Sequence, residues 1–469
     1  MTTRRNFLQA GAFSLAAMGA LQAGAQENDA EEILFSSPLE NADAQLWEKE
    51  GKPLRAVLIG CGWYGKSDVF RLIQCGGEKI SVVGLCDVDR RVLEEAGKLV
   101  AARQVSGKVP NLYRDHREML EREKPDVCLI STPDHWHALQ MIDAVKAGCD
   151  VYVQKPIGVD VRECLAMREA VRASDRVVQV ALQRRSTPVL QDAIRKYLDP
   201  HALGQVAGVT TFCDWGSRKP IRQEPVAIPE WVDFDRWAGP APVIPYYPNI
   251  HQRRWRIRME YGNGYLGDMA VHMLDMVRWM LKLEWPTRIS SFGGTYVNRG
   301  GISNISDTQN VTWAFPDLNV TWEHRQWSDV RDPDYPWGAI LYGSEGVLKA
   351  NPWRYAFRPN NGRAWRKVVA TTEYDRYPTD ETEPGLERQI AGANRAHMWN
   401  FLARVVDRGK PNASIEQGCI SSVCCILANI SAALGGVTLD WDPETFTVKN
   451  CPEANALLAR PYRSPWVHP

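Results

Sequence analysis

The chain has 469 residues, which is enough for two or three domains with buried cores. Its 56 basic and 56 acidic residues leave a formal net charge of zero, which excludes the overall electrostatic attraction that nucleic-acid-binding proteins use. A composition of 44% hydrophobic and 24% charged residues is typical of a globular protein, not of a disordered or membrane-spanning one.

The first 25 residues predict a signal for export through the twin-arginine pathway. Arg4 and Arg5 precede a short stretch of apolar and small residues, and Ala23-Gly24-Ala25 supplies a cleavage site. The stretch is short for a membrane span, so an anchor helix is the weaker alternative. We therefore expect a periplasmic or otherwise exported protein with no membrane span after signal removal.

Residues 26–53 are polar and acidic and predict an arm that leads into the first domain. The first domain, residues 54–183, begins with a short apolar run at 54–60, and four further runs repeat that form at 81–86, 127–131, 151–153 and 177–182. Helical patterns at 137–147 and 161–173 lie between the later runs. Strands that alternate with helices predict an α/β fold with a doubly wound parallel sheet of the Rossmann type.

The pattern changes in the second domain, residues 184–469. Longer alternating strands at 207–212, 310–315 and 318–323 appear beside few helices, so we predict a second α/β domain with a large, mostly antiparallel open sheet. The proline-rich segment 220–248 indicates an ordered surface excursion.

A glycine-rich loop, Gly60-Cys61-Gly62-Trp63-Tyr64-Gly65, follows the first strand and precedes a helix. This context lets the backbone approach a pyrophosphate at the helix start, so residues 60, 62, 63, 64 and 65 are predicted to bind a dinucleotide. Asp87 ends the second strand, where a carboxylate accepts the ribose hydroxyls and repels a ribose phosphate. NAD is therefore favoured over NADP, although Arg90 and Arg91 lie close enough to leave NADP open.

Lys155 follows the strand at 151–153, and the carboxyl ends of parallel strands are where such sheets bind ligands. A lysine at that point can hydrogen-bond a substrate hydroxyl and stabilise the alkoxide that forms as a hydride leaves. The alternative is an ordinary solvated lysine.

The apolar segment 266–281 predicts a buried helix that carries Asp268, His272 and Asp275 on one face. His272 is the candidate general base, because imidazole titrates near neutrality, and Asp268 would orient the substrate hydroxyl or support the imidazolium. Asp275 is expected to pair with Arg278 or a neighbouring segment, and a structural histidine is the alternative for position 272. No third ligand has a diagnostic spacing, so we predict no metal.

Together these motifs resemble the glucose-fructose oxidoreductase/inositol dehydrogenase (Gfo/Idh/MocA) family, and the resemblance covers nearly everything after Leu54. The motifs Ser131-Thr132-Pro133-Asp134-His135 and Gln154-Lys155-Pro156 also carry the resemblance. Further motifs resemble an exported bacterial branch: Trp237-Ala238-Gly239-Pro240-Ala241-Pro242, Trp255-Arg256, Gly262-Asn263-Gly264 and Tyr462-Arg463-Ser464-Pro465-Trp466. Two positions depart from the family pattern, since Gln154 stands where the family usually has Glu, and Ala270 where it usually has Gly.

The resemblance implies a Rossmann domain joined to a domain for substrate binding and oligomerisation, in a homodimer or homotetramer. It implies that Lys155, Asp268 and His272 are the active-site residues. The predicted cofactor contacts beyond the glycine loop and Asp87 are Thr132, Pro133, His135, His137, Gln154, Lys155 and Gln183. The predicted substrate contacts are Lys155, Arg184, Trp255, Asp268 and His272.

Three functions stay open at this stage. The first is an oxidoreductase that acts at a secondary hydroxyl of a sugar or glycoside, and the second is a redox-neutral glycosidase that uses NAD transiently. Outside the cytoplasm no ready pool reoxidises NADH, so either enzyme is expected to hold and recycle its cofactor. The third is a non-catalytic NAD and sugar sensor, against which the intact lysine, aspartate and histidine argue.

Overall fold

The computed structural model describes residues 31–34, 41–215, 218–362, 364–382 and 390–469. The predicted signal, residues 1–25, lies outside the described residues. The described strands form two sheets, and they are numbered below in chain order, so that β1 is Glu31–Leu34.

The first sheet has six parallel strands in the order β4-β3-β2-β5-β6-β7. These strands are β2 Leu54–Ile59, β3 Ile80–Cys86, β4 Asn111–Tyr113, β5 Val127–Ile130, β6 Asp150–Val153 and β7 Val178–Val180. The helices between them are Trp63–Gly76, Arg90–Ala101, His116–Glu123, His137–Lys146 and Val161–Arg172. Strand order reverses between β2 and β5, which is where a doubly wound sheet opens a ligand crevice. The predicted Rossmann-type sheet is confirmed.

The second sheet has eleven strands in the order β1-β15-β14-β13-β12-β8-β11-β10-β9-β16-β17. These strands are β8 Val206–Asp214, β9 Arg288–Gly294, β10 Thr308–Ala314, β11 Asn319–Arg325, β12 Trp337–Gly343, β13 Gly346–Asn351, β14 Arg354–Pro359, β15 Arg366–Thr371, β16 Leu439–Asp442 and β17 Thr447–Val448. The pairs β1/β15 and β8/β11 are parallel and the other pairs are antiparallel. The prediction of a large, mostly antiparallel sheet is confirmed.

Buried and exposed residues alternate along the strands of the second sheet, because one face packs on helices. The described helices of this half are Pro188–Ala193, Phe234–Ala238, Val271–Met280, Pro378–Thr382, Ala391–Asp407, Ile415–Ala433 and Pro452–Ala456. Trp313 donates from its indole Nε1 to the carbonyl of Cys424 at 3.0 Å, which ties β10 to helix Ile415–Ala433.

Helix Ile415–Ala433 is the single described helix that is long and apolar enough to cross a membrane by composition. In the structure 78% of its apolar window is buried. The apolar run therefore serves as the core helix behind β9.

Helix Ala391–Asp407 belongs to the second half of the sequence but packs on the first domain. Its buried Phe401 and Leu402 share one apolar cluster with Leu58 of β2 and Phe70. The two domains are therefore joined by a shared core as well as by the chain connection.

The segment predicted as an arm, residues 26–53, contains two elements where the structure describes it. Strand β1 extends the edge of the second sheet beside β15. Asn41 caps helix Ala42–Glu50 by accepting from the backbone of Asp43 and Ala44 at 3.0 and 3.1 Å, and the helix buries Trp47. A short polar helix with one buried face has too weak a pattern to stand out in the sequence.

Candidate active site

The glycine loop forms a tight turn between β2 and helix Trp63–Gly76. Gly60 has a φ of +88°, and a Cβ there would lie 2.7 Å from the backbone of Ser131 and Thr132. A Cβ at Gly65 would lie 1.8 Å from the Gly60 carbonyl oxygen. No side chain caps the start of the helix at Gly62, so its N-terminal end faces the glycine turn, as a site for an anion requires.

Asp87 follows β3 and contacts the backbone of the glycine loop. Its Oδ2 accepts from the backbone N–H of Cys61 at 2.7 Å, and its Oδ1 accepts from that of Asp89 at 2.8 Å. Burial raises the pKa of Asp87, and the two backbone donors oppose that rise. Each oxygen retains a second lone pair, which is what a ribose hydroxyl requires.

A cleft of about 260 Å³ opens above the glycine loop, between the first domain, residues from the segment 235–256 and the chain end. The predicted residues that line it are Gly60, Gly62, Trp63, Tyr64, Asp87, Thr132, Pro133 and Trp255. The glycine turn, the uncapped helix start and the carboxylate beyond β3 together fit a dinucleotide. These residues would hold its pyrophosphate and its adenosine ribose.

The other predicted residues lie outside the lining of this cleft, and they are Gly65, His135, His137, Gln154, Lys155, Gln183, Arg184, Asp268 and His272. Gly65 packs against the Gly60 carbonyl. His135 lies 3.0 Å from the Trp237 carbonyl through Nε2, and His137 lies 2.7 and 2.9 Å from the carbonyls of Pro156 and Thr132. Burial lowers the pKa of both histidines to about 4, so both rings are neutral. They position backbone segments around the cleft instead of presenting free nitrogens to it.

Lys155 follows β6 and meets Asp268 directly. Its Nζ donates to the Asp268 carbonyl at 2.6 Å and to Oδ1 of the same residue at 3.0 Å. Residues 266–270 form a π-turn, whose wider backbone presents that carbonyl to the lysine. Burial works to raise the pKa of Asp268, but Lys155 and Arg256 outweigh it and hold that pKa below its usual range.

His272 lies one turn further along, on helix Val271–Met280, and is buried. Its Nδ1 has no hydrogen-bond partner among the described residues. Burial, followed by the charges of Arg184 and Lys155, holds the pKa of His272 well below its usual range. The ring is therefore neutral and lies within the electrostatic reach of Lys155.

Asp275 pairs with a neighbouring segment, as the sequence predicts. Its carboxylate accepts from Arg185 at 2.8 and 2.9 Å and from the Ser421 hydroxyl at 2.8 Å. The Arg278 guanidinium lies farther away, at 3.8 Å. Both oxygens of Asp275 are therefore engaged in a buried ion pair behind the helix that also carries His272.

Gln154 donates from Nε2 to Oδ2 of Asp68 at 2.8 Å, and the Ser131 hydroxyl donates to the same oxygen at 2.7 Å. Burial raises the pKa of Asp68 to about 7, although both donors oppose it. A buried carboxyl on helix Trp63–Gly76 thus lies beside the position where the family usually has Glu. Sequence reasoning did not single out Asp68, because nothing local marks its burial.

Gln183 and Arg184 lie in the turn after β7 and are buried. Gln183 donates to Oδ1 of Asn394 at 2.9 Å, while its own Oε1 is buried without a partner among the described residues. His397, on the same helix as Asn394, bonds Ser186 at 2.7 Å and the Val180 carbonyl at 2.9 Å. Helix Ala391–Asp407 therefore supports this side of the site, a role that its apolar pattern does not reveal.

One group among the described residues has the spacing of a metal site, and it consists of Asp160, Glu163 and His468. Asp160 Oδ2 accepts from His468 and from the backbone of Arg460 at 2.9 and 2.8 Å, and Glu163 accepts from Tyr462 at 2.6 Å. These bonds anchor the chain end, which places Pro465 and Trp466 in the lining of the cleft.

The fold and the site define a dinucleotide-binding α/β protein of two domains, with a lysine, an aspartate and a histidine beyond the cofactor cleft. The model of the oxidoreductase family with an NAD-binding Rossmann fold matches residues 54–182, and the model of its C-terminal alpha/beta domain matches residues 196–290. The chain belongs to the Gfo/Idh/MocA oxidoreductase family, and its first domain is the family's NAD-binding domain.

The curated relatives match over part of their length. Levoglucosan dehydrogenase of Pseudarthrobacter phenanthrenivorans is 29% identical over 196 residues, which is 41% of this chain and 42% of the relative. A glycosyl hydrolase family 109 protein of Shewanella woodyi and an alpha-N-acetylgalactosaminidase of Shewanella oneidensis are each 32% identical over 115 residues, 24% of either chain. The matches therefore span less than half of each relative.

Solved structures of the same fold cover more of the chain. Levoglucosan dehydrogenase in complex with NADH and levoglucosan superposes with a TM-score of 0.61 at 18% identity, over 82% of this chain and 99% of the other. An oxidoreductase from Agrobacterium radiobacter in complex with NAD+, L-tartaric acid and magnesium gives 0.60 at 16%, over 83% and 98%. At these identities the likeness establishes the fold alone.

Proposed function

We propose that this protein is an NAD-dependent oxidoreductase that acts at a secondary hydroxyl of a sugar or glycoside and retains its cofactor through turnover. One observation carries the proposal: the Lys155 ammonium, at the carboxyl end of β6, contacts Asp268 at 3.0 Å, while the neutral His272 follows one turn later. Binding alone requires no such proton acceptor beside a cation.

Lys155, Asp268 and His272 have different roles at the substrate hydroxyl. Held by the glycine loop and Asp87, NAD would supply the acceptor for a hydride from the substrate carbon, and a second substrate, a ketosugar, would take that hydride up so that the retained cofactor is restored. Lys155 donates a hydrogen bond to the substrate hydroxyl and stabilises the negative charge that develops on its oxygen. The His272 imidazole accepts the hydroxyl proton, and Asp268 holds Lys155 in place and supports the imidazolium.

Retention of the cofactor is supported by the contacts that cross the cleft. Residues of the second domain meet the first beside Asp87, where His251 Nε2 lies 2.9 Å from Asp89 Oδ2 and the backbone N–H of Arg90 donates to the Trp231 carbonyl at 2.9 Å. On the other side, the indole of Trp136 donates to the Trp237 carbonyl at 2.8 Å. A bound dinucleotide would leave only after these contacts open.

The experiment starts with protein as purified, without added NAD. A panel of free sugars that includes levoglucosan is added in turn, and reduction of the bound cofactor is followed by its absorbance. Reduction by a sugar, and its reversal by a ketosugar, is the expected result. Failure of the whole panel to reduce a bound cofactor contradicts an oxidoreductase of this class.

A second candidate is a redox-neutral glycosidase, which the match to family 109 glycosyl hydrolases favours. In that cycle oxidation acidifies a neighbouring C–H bond, elimination releases the aglycone, water adds, and the ketone is reduced again. Release of nitrophenol from nitrophenyl glycosides without net NADH would move the conclusion to this function.

We also propose export through the twin-arginine pathway and self-association. Replacement of Arg4 and Arg5 by Lys should retain the protein in the cytoplasm, which cell fractionation measures. Light scattering on the purified protein should give the mass of a dimer or tetramer. A monomer, or unchanged fractionation, contradicts the respective proposal.

A further inference from the structure

Asp134 lies in the turn that follows β5, directly after Thr132 and Pro133. Its side chain is buried, with 5% of the residue exposed. Its carboxyl forms no hydrogen bond to any described residue, whereas other buried carboxyls of the molecule, such as Asp87 and Glu163, accept from donors of the chain. A buried polar group without a partner is costly unless a ligand supplies the partner.

The carboxyl lies at the substrate end of the site. A Cβ built on Gly262 would lie 3.1 Å from Oδ2 of Asp134 and 3.4 Å from the Trp255 ring. The carboxyl and the indole therefore both lie next to the backbone of Gly262. A Cβ on Gly267, the residue before Asp268, would lie 3.7 Å from the same oxygen. Asp134 therefore lies between the Trp255 ring and the segment that carries Asp268.

Charged groups face this carboxyl from four segments. Lys155 comes from the loop after β6, Arg256 from the turn 254–257, Asp268 from the π-turn and Arg460 from the chain end. On the turn of Asp134 itself, His135 is neutral, because burial lowers its pKa to about 4. Burial raises the pKa of Asp134 to about 8, and Asp268 adds to the rise while the three cations oppose it.

All three cations are engaged elsewhere, and Nε of Arg256 lies 3.7 Å from Oδ1 of Asp268. Lys155 donates to Asp268, and Arg460 donates to the carbonyls of Met259 and Gly262 at 2.6 and 3.1 Å. The site thus contains two carboxyls in different states near one lysine: Asp268 is ionised and accepts, while Asp134 carries a proton at neutral pH. Environments that separate two carboxyls in this way assign them different roles.

Resting on the oxidoreductase function proposed above, we propose that Asp134 is a further catalytic residue, whose carboxylic acid donates a hydrogen bond to a substrate oxygen between Trp255 and Asp268. Neighbouring hydroxyls of a sugar then meet an acceptor at Asp268 and a donor at Asp134. This complementarity orients the ring relative to Lys155 and His272.

The test compares two substitutions of Asp134 with a matched control. Asp134→Asn is neutral at every pH and keeps an N–H donor, whereas Asp134→Leu removes the donor at similar volume. Glu163→Gln is the control, because burial also raises the pKa of Glu163 to about 7 but this residue only anchors the chain end. Difference infrared spectroscopy of the NADH-loaded protein, wild type minus Asp134→Asn, isolates the carbonyl band of a protonated Asp134.

We expect that band at about pH 6, its loss by about pH 10, and a shift of the band when levoglucosan is added. With any sugar of the panel that is converted, kcat/KM should fall about 10-fold in Asp134→Leu and stay within about 3-fold in Asp134→Asn. The wild-type kcat/KM should decline as pH rises through about 8, and Asp134→Asn should lack that decline. Glu163→Gln should keep the decline.

An ionised Asp134 at about pH 6, or a protonated band that no sugar of the panel shifts, overturns the proposal. Unchanged kcat/KM in Asp134→Leu also overturns it, because the carboxyl would then serve packing alone. If the wild type converts no sugar, the oxidoreductase function fails on its own. In that case a band that any sugar of the panel shifts would still support the donor, and a band that none of them shifts would exclude it.

Discussion

The cofactor cleft and the substrate site differ in how completely their polar groups are satisfied. At the cleft, Asp87 accepts two backbone N–H groups and Asp89 bonds His251, so the chain itself holds these carboxylates in place. Beyond the cleft, Nδ1 of His272 and Oε1 of Gln183 are buried without a hydrogen-bond partner among the described residues. The buried Asp134 carboxyl likewise accepts from no donor of these residues. The proposed cofactor would therefore meet groups that the chain has already positioned, and the proposed substrate would meet groups that still lack partners.

The largest expected effect is the loss of turnover when a proposed catalytic residue is replaced. Lys155→Met and His272→Ala should each lower turnover by up to about 10⁴-fold, because each removes a group that contacts the reacting hydroxyl. Bound NAD per chain, measured after denaturation, should stay unchanged in both variants. Lys146→Met, an exposed lysine of the same domain, is the control. If the variants lost bound NAD to the same extent as turnover, the cofactor cleft and the substrate site would not act separately.

The buried ion pair of Arg185 and Asp275 should contribute to the stability of the fold and not to binding. Arg185→Met leaves the Asp275 carboxylate without its main partner, so the free energy of unfolding should fall by about 3–5 kcal/mol. Chemical denaturation measures this fall. Combining it with Asp275→Leu should recover much of the loss, because the uncompensated charge is gone. A double variant as unstable as the single one would assign the loss to packing.

A smaller effect is expected at the contact that closes the cleft. His251→Ala removes the bond to Asp89 and should speed the release of bound NAD by about 5- to 10-fold, as loss of one hydrogen bond does. Exchange against labelled NAD gives the rate, with the exposed His201→Ala as control. An unchanged rate would mean that this contact does not retain the cofactor.

The smallest effect concerns Asp68. Its pKa in the folded protein is raised to about 7, so the folded state keeps a proton that the unfolded chain releases near pH 4. Stability from this group is full below about pH 4 and is lost as pH rises toward 7. Asp68→Asn keeps an oxygen for both Ser131 and Gln154, so its melting temperature relative to wild type should rise over that window and then level off. A constant difference across pH would contradict the raised pKa.

The sequence predicts what depends on local spacing. The glycine loop, Asp87 and Lys155 each follow a strand of a recognisable pattern, and the order of strands brings their ends to one edge. For Asp275 the sequence predicts a pairing with Arg278 or a neighbouring segment, but it does not single out Arg185, because that residue lies 90 positions away in the sequence. Asp68 was missed, and Asp134 was noted only as part of the motif 131–135, because the burial of each carboxyl arises from segments that are distant in sequence.

The most direct test of the account measures the nicotinamide of the purified protein. We predict close to one NAD per chain after denaturation, and reduction of that bound NAD when a suitable sugar is added to the wild type but not to His272→Ala. A protein that carries no dinucleotide and acquires none on incubation, or a His272→Ala variant that is reduced as fast as the wild type, would contradict the central claim.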